Sequence, residues 1–192
     1  MFEKEINKYQ ALNKLAEKRG LVIFGGSEDR EIPLCELKQA FDLKSKLYNR
    51  SIADLSVDTA PQIYDACVAE LAPDQLFLHI GAADLASFKE DAAGFDQKYR
   101  QLIAQIKTAD GDCEVAVISL KNPSKDALIT EMNKHLKEIA RSEQCQFCDI
   151  ATDRVWNPKQ TKEVVSFVYS VGFVRRLKQN RPLYDLVKIL FS

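Results

Sequence analysis

Short apolar runs alternate with amphipathic stretches along most of this chain, and this alternation limits its fold more than any other feature. The runs are bounded by glycine, proline or charged residues, which is typical of buried strands. They lie at 21–24, 76–80, 114–120 and 146–150, with a further short strand expected within 46–52. Between them, apolar residues recur at helical spacing. The alternation predicts a parallel sheet that is covered by helices on both faces.

The pattern fits a single domain over residues 1–192, built as a three-layer α/β/α sandwich around a parallel sheet of about five strands. Of the 192 residues, 46% are apolar, which suffices for one core, and the chain is too short for two comfortable domains. Helical spacing predicts an opening helix within 1–19, ended by Gly20, and C-terminal helices within 159–192. Further helices are expected near 33–41, 63–71, 95–106 and 128–139.

The charge of the chain is balanced, with 27 basic and 28 acidic residues and a net charge of −1. This balance does not favour nucleic acid or an anionic membrane surface as a partner. No run approaches the ~18 apolar residues of a membrane-spanning helix. Residues 1–8 are charged and lack the apolar centre of a signal peptide. We therefore predict a cytoplasmic protein.

Five cysteines are spread irregularly along the chain, which is typical of reduced thiols rather than of a disulfide framework. Cys145 and Cys148 have the C-x-x-C spacing, but a zinc site would need a second pair of ligands that the sequence lacks. The pair also precedes a predicted strand, whereas a thioredoxin-type motif lies between a strand and a helix. We predict no metal site and a structural role for both thiols.

The first apolar run ends on Gly25 and Gly26 and is followed by Ser27. Ligand sites of open α/β sheets gather at the carboxyl ends of strands, so Ser27 is placed where a nucleophile would lie. A dinucleotide-binding loop would need a third glycine, and Glu28 and Asp29 have the wrong charge for a pyrophosphate. The Gly-Lys-Ser/Thr of a P-loop is also absent. We predict no cofactor.

Four segments that follow predicted strands carry short motifs, at residues 24–27 (FGGS), 48–52 (YNRSI), 80–84 (IGAAD) and 153–158 (DRVWNP). In this order they resemble the F-G-D-S, N-R-G-I-x-G, G-x-N-D and D-G-x-H-P-N blocks of the SGNH, or GDSL, hydrolases. The spacings of the first three blocks also match approximately. The resemblance spans roughly residues 20–160 and implies a flavodoxin-like α/β fold and a serine ester hydrolase ancestry.

The resemblance assigns the nucleophile to Ser27 and the acid that orients the base to Asp153. Three positions depart from the family pattern. Asp54 stands where a glycine supplies an oxyanion-hole N–H, and its carboxylate would repel an oxyanion unless the side chain turns away. Ala83 stands in place of an asparagine donor, and Trp156 in place of the histidine that acts as general base. Such a base is typically worth about 10²–10⁴-fold in rate and one oxyanion donor about 10²–10³-fold.

Other residues of the same blocks are predicted to surround this pocket. The resemblance implies that Asp84 braces its loop. Asn49 suits a turn, and Arg50 could pair with Glu28, Asp29, Asp54 or Asp84 at the same edge. Trp156 could cover the pocket or stack on a sugar or another ring. The predicted binding residues are Gly26, Asn49, Arg50, Asp54, Gly81, Ala83, Asp84 and Trp156.

Two histidines are available to replace the missing base. His79 lies inside a predicted strand and is interpreted as a buried, hydrogen-bonded structural residue. His135 lies on a predicted helix that packs on a sheet face, away from the strand ends. Ser27 itself could simply be a turn residue.

Two hypotheses about function remain open. In the first, the chain is a degenerate hydrolase-like protein whose strand-end pocket binds an ester, a carbohydrate-like molecule or a protein partner. In the second, it is an active serine esterase or acetyl-hydrolase that uses Ser27 with an atypical base.

Overall fold

The computed structural model describes residues 2–30, 32, 34–35, 38, 46–122 and 124–150. Helices α1 to α5 of this part span Glu3–Asn13, Ala60–Cys67, Leu85–Glu90, Ala92–Ala109 and Ala127–Ser142. Strands β1 to β5 span Leu21–Gly25, Leu47–Asn49, Gln75–His79, Glu114–Ile118 and Gln146–Cys148. The helices expected near 33–41 and within 159–192 lie almost wholly or wholly outside the described residues.

The strands form one parallel sheet in the order β2-β1-β3-β4-β5. All residues of β1 and β3 are buried, so both faces of the sheet centre are covered. This confirms the predicted α/β sandwich with five parallel strands. Strands β1, β3 and β4 were expected from their apolar runs, because strands buried on both faces are continuously apolar rather than alternating. The shorter strands β2 and β5 lie within the segments 46–52 and 146–150, where short strands were expected.

The core between the sheet and the helices contains buried apolar residues from each of the helices α1 to α5 and from the connections between elements. Helix α2 packs against α1 and α4, and α5 packs against α3, α4 and the β4–β5 edge of the sheet. The largest wholly buried side chains of the core include Tyr64, Tyr99, Phe24 and Phe77. No helix in the described ranges is long and apolar enough to cross a membrane.

The first helix ends earlier than the sequence predicts. Helix α1 stops at Asn13 rather than at Gly20, and Arg19 and Gly20 both take positive φ values, of 68° and 125°. Asn13 is buried, and its amide donates to the carbonyl oxygen of Cys67 at 3.0 Å. This tertiary hydrogen bond coincides with the end of the helix. A Cβ at Gly20 would lie 2.6 Å from the carbonyl oxygen of Lys46, so glycine fits the approach to β2.

Candidate functional site

Ser27 lies two residues beyond the carboxyl end of β1, as predicted. It begins a short 3₁₀ turn over Ser27–Asp29 and is exposed. Gly25 is required before it, because a Cβ there would lie 1.9 Å from an Asp29 carboxylate oxygen. Around Gly26 no atom lies within 4 Å of such a Cβ. The turn is therefore packed on its Gly25 side and open on its Gly26 side.

Asp54 is the described side chain that contacts the Ser27 hydroxyl. The backbone N–H of Asp54 donates to Ser27 Oγ at 3.2 Å, and Asp54 Oδ1 lies 3.5 Å from the same Oγ, which donates to it. Asp54 has a φ of 55°, in the left-handed region that favours glycine and that Asp tolerates. The backbone of this position thus directs an N–H at Ser27 Oγ itself, whereas an oxyanion hole directs its N–H groups at the acyl oxygen of a substrate. The carboxylate of Asp54 does not turn away from the Ser27 hydroxyl.

Neither histidine reaches Ser27. His79, at the carboxyl end of β3, contacts both carboxylate oxygens of Asp29 through Nδ1, at 3.0 and 2.9 Å, and both residues are buried. Burial lowers the pKa of His79, but the charge and hydrogen bond of Asp29 outweigh it and hold that pKa above its usual value. His135, on α5, contacts Asp96 of α4 at 2.9 Å and packs edge-on against Phe88. The interpretation of His79 as a buried, bonded residue agrees with this geometry.

Asn49 ties the Ser27 turn to β2. Its side-chain amide donates to the carbonyl oxygen of Asp29 at 2.6 Å, and its Oδ1 accepts from the N–H of Ser51 at 2.9 Å. The hydroxyl of Ser51 in turn accepts from the N–H of Gly25 at 3.1 Å. Asn49 is the last residue of β2, and its side chain connects the loops after β1 and β2.

The contacts of Arg50 differ from those expected from the sequence, which were with acidic residues at the strand-end edge. Arg50 pairs with none of Glu28, Asp29, Asp54 or Asp84. Its guanidinium donates instead to Asn13 Oδ1, at 3.0 and 2.7 Å, and to the carbonyl oxygen of Asn49 at 2.9 Å. It is buried between the rings of Tyr9 and Tyr48, at 5.2 and 5.5 Å from the ring centroids. Cation–π contacts with aromatic rings from α1 and β2 favour this position over the strand-end edge.

Asp84 contacts the loop that carries Asp54. Both of its carboxylate oxygens accept from the N–H of Val57, at 3.1 and 3.2 Å, and it is buried. Burial raises the pKa of Asp84 to about 6, although the Val57 N–H lowers it. The bracing role implied by the family resemblance fits these contacts. Gly81, with a φ of 136°, and the exposed Ala83 lie beside it at the end of β3.

Residues from four loops line a cleft of about 250 Å³ around Ser27. Of the predicted binding residues, the cleft brings together Gly26, Asp54, Gly81 and Ala83, whereas Asn49, Arg50 and Asp84 do not line it. Asp153 and Trp156 lie outside the described residues. The full lining is Gly26, Ser27, Glu28, Asp29, Asp54, Leu55, His79, Gly81, Ala82, Ala83, Leu85, Leu120, Lys121 and Ile129.

Asp29 and Lys121 line the cleft but were not among the binding residues predicted from the sequence. The sheet register places Gly25 beside His79, which brings the Ser27–Asp29 turn against the end of β3. Lys121 follows β4 and lies 3.5 Å from Glu28, so these charges pair across the cleft. Strand order was the missing signal, since β1 and β3 are not consecutive along the chain.

No protein-family model and no curated protein match the chain by sequence. Solved structures do match it. A candidate acylhydrolase from Bacteroides fragilis is 18% identical, with a TM-score of 0.65 over 92% of this chain and 96% of its own. A GDSL-like lipase from Bacteroides thetaiotaomicron is 15% identical, with a TM-score of 0.57 over 80% and 84%. The chain has an SGNH/GDSL-hydrolase-like fold. An acetyl xylan esterase is also similar to it, at 17% identity and a TM-score of 0.61 over 74% and 84%.

The SGNH/GDSL-like fold gives this chain a serine and a backbone N–H at the strand ends, with a buried Asp–His pair beside them. A serine hydroxyl is a weak nucleophile unless a base accepts its proton. Among the described residues, the group that accepts from Ser27 is the carboxylate of Asp54. This carboxylate lies 3.5 Å from Ser27 Oγ. The described site therefore presents a serine hydroxyl bonded to a carboxylate rather than to a histidine.

Proposed function

We propose that this chain is a catalytically degenerate SGNH/GDSL-hydrolase-like protein whose strand-end cleft binds a small ligand or a partner. One observation carries the proposal: both histidines of the chain contact aspartates, and neither contacts Ser27. Without a histidine, the Ser27 hydroxyl lacks the base that serine hydrolases use to activate it.

Two further features support a degenerate site. The carboxylate of Asp54 would oppose an oxyanion beside Ser27, so the donor N–H of the same residue loses much of its value. Ala83 has no side-chain donor, unlike the asparagine of the family pattern. Losses in groups that act together are not additive, but each of them removes transition-state stabilisation.

A second candidate function is a serine esterase or acetyl-hydrolase in which Asp54 serves as the base. The contact between Ser27 Oγ and Asp54 Oδ1 at 3.5 Å favours it, together with the N–H of Asp54. In this mechanism the carboxylate would accept the Ser27 proton as the hydroxyl attacks an acyl carbon, and the weak basicity of a carboxylate would limit the rate. Asp153 is the further acid that the family resemblance would add.

Steady-state hydrolysis of p-nitrophenyl acetate by the native chain and by Ser27→Ala separates the two candidates. The degenerate site predicts equal rates for both proteins, because any turnover then arises from the protein surface. A rate that is at least tenfold lower in Ser27→Ala than in the native chain, and that is also lower in Asp54→Asn than in the native chain, would instead establish the esterase.

The cellular location of the protein and the class of its partner are also proposals. We propose that the protein is cytoplasmic. The balance of 27 basic and 28 acidic residues supports a small molecule or another protein as its partner rather than nucleic acid or a membrane.

A further inference from the structure

We infer that the strand-end cleft selects a small organic cation, such as a primary alkylammonium group, and that Asp54 is its counter-charge. The inference rests on the proposed function of the cleft as a binding site and specifies the chemistry of its ligand. The residue that makes an oxyanion unfavourable beside Ser27 makes a cation favourable at the same point.

The charges that line the cleft are paired, with one exception. Lys121 Nζ lies 3.5 Å from Glu28 Oε2, and His79 lies 2.9 Å from Asp29 Oδ2. Asp54 has no cationic partner among the described residues, and its contacts are with Ser27. The lining therefore presents an uncompensated carboxylate beside Ser27.

The other walls of the cleft suit the alkyl part of such a ligand. Leu55, Leu85, Leu120 and Ile129 provide apolar surface, and Ala82 and Ala83 add methyl groups. A cleft of about 250 Å³ has room for a short aliphatic chain rather than a polymer. Apolar walls around one carboxylate favour a molecule with an apolar body and a single positive group.

Hydrogen-bond chemistry favours an ammonium group over a neutral or an anionic head group. An ammonium has three N–H donors and no acceptor. Asp54 offers carboxylate oxygens, and Ser27 Oγ keeps a lone pair while it donates to Asp54. An alcohol would lack the charge attraction, and a carboxylate ligand would be repelled by Asp54.

The test is an amide NMR titration of the full chain with three ligands that share one apolar tail: n-butylammonium, n-butanol and butyrate. We expect n-butylammonium to bind most tightly and to shift the amides of Gly26, Ser27, Asp54 and Gly81, and butyrate to bind least tightly. Added salt should weaken the binding of n-butylammonium more than that of n-butanol, because screening acts on charge.

Asp54→Asn is the matched variant, since Asn tolerates the positive φ of this position and keeps its backbone N–H. The affinity for n-butylammonium should fall about two- to fivefold in this variant, the range for a single exposed ion pair. Asp58→Asn is the control, because Asp58 lies in the same loop, pairs with Lys98 at 2.7 Å and does not line the cleft. It removes the same charge and should leave the affinity unchanged.

Three outcomes would overturn the inference: equal binding of n-butanol and n-butylammonium, equal losses in the two variants, or no shift in the cleft with any of the ligands. Equal binding would leave the proposed cleft intact and remove only its charge selectivity. Failure of the proposed function is a different result, namely ester hydrolysis that depends on Ser27.

Discussion

Single residues decide the chemistry of this site. Asp54 keeps a left-handed backbone conformation that glycine would otherwise supply, and with it an N–H directed at Ser27. Its side chain adds a carboxylate 3.5 Å from the same hydroxyl. The proposal of a degenerate site depends on this carboxylate, because it would oppose negative charge beside Ser27. A shared fold therefore does not by itself determine the chemistry of the site.

Adjacent glycines at the Ser27 turn should differ sharply in their tolerance of a methyl group. In Gly25→Ala the new Cβ would collide with the Asp29 carboxylate, which is itself held by His79. We expect a loss of about 1–3 kcal/mol in the free energy of unfolding, as for other overpacked sites. Gly26→Ala is the control and should change it by less than about 0.5 kcal/mol. Urea denaturation measures both, and equal effects would contradict the packing described for Gly25.

Asp84 should make stability depend on pH in the opposite sense to a salt-bridged aspartate. Its pKa is raised from 3.8 to about 6 in the folded protein. Between these values the folded state binds more protons than the unfolded state, so stability falls as the pH rises. The predicted loss from pH 4 to pH 7 is about 2 kcal/mol relative to Asp84→Asn, because one pKa unit corresponds to about 1.4 kcal/mol and the unfolded carboxyl is already partly ionised at pH 4. Urea unfolding of both proteins across this range measures the difference, and parallel pH profiles would contradict it.

At the scale of elements, Arg50 connects the first helix to the sheet. Its guanidinium lies between Tyr9 of α1 and Tyr48 of β2 and donates twice to Asn13, the last residue of α1. A buried cation is thus satisfied by side chains from two elements that are distant in sequence. This arrangement docks α1 on the β2 edge of the sheet.

Arg50→Ala should weaken this docking by about 2–4 kcal/mol, because it removes the ring contacts and leaves Asn13 Oδ1 buried without its donors. Lys46→Ala is the control at the same edge, since Lys46 forms an exposed pair with Glu17 at 2.6 Å. Such pairs contribute about 0–1 kcal/mol. Denaturation curves that respond equally to the two substitutions would show that Arg50 does not dock α1.

At the scale of the whole molecule, the sheet was predictable and much of the site was not. Continuous apolar runs identify β1 and β3 because both faces of these strands are buried. Arg50 contacts Asn13, which is 37 positions away, and His79 contacts Asp29, which is 50 positions away. The periodicity of apolar residues along the chain does not report such distant contacts. The short helix α3 was missed because six residues carry too little pattern. The predicted roles of Asp153 and Trp156 stay predictions.

The most direct test of the central claim is the reactivity of Ser27 towards a fluorophosphonate probe, read by intact-protein mass. A serine without a base should give no adduct at the catalytic position. We therefore predict that the native chain and Ser27→Ala remain equally unmodified under conditions that fully label a serine hydrolase. An adduct that forms on the native chain and is absent from Ser27→Ala would contradict the account, because it would demonstrate an activated nucleophile at the end of β1.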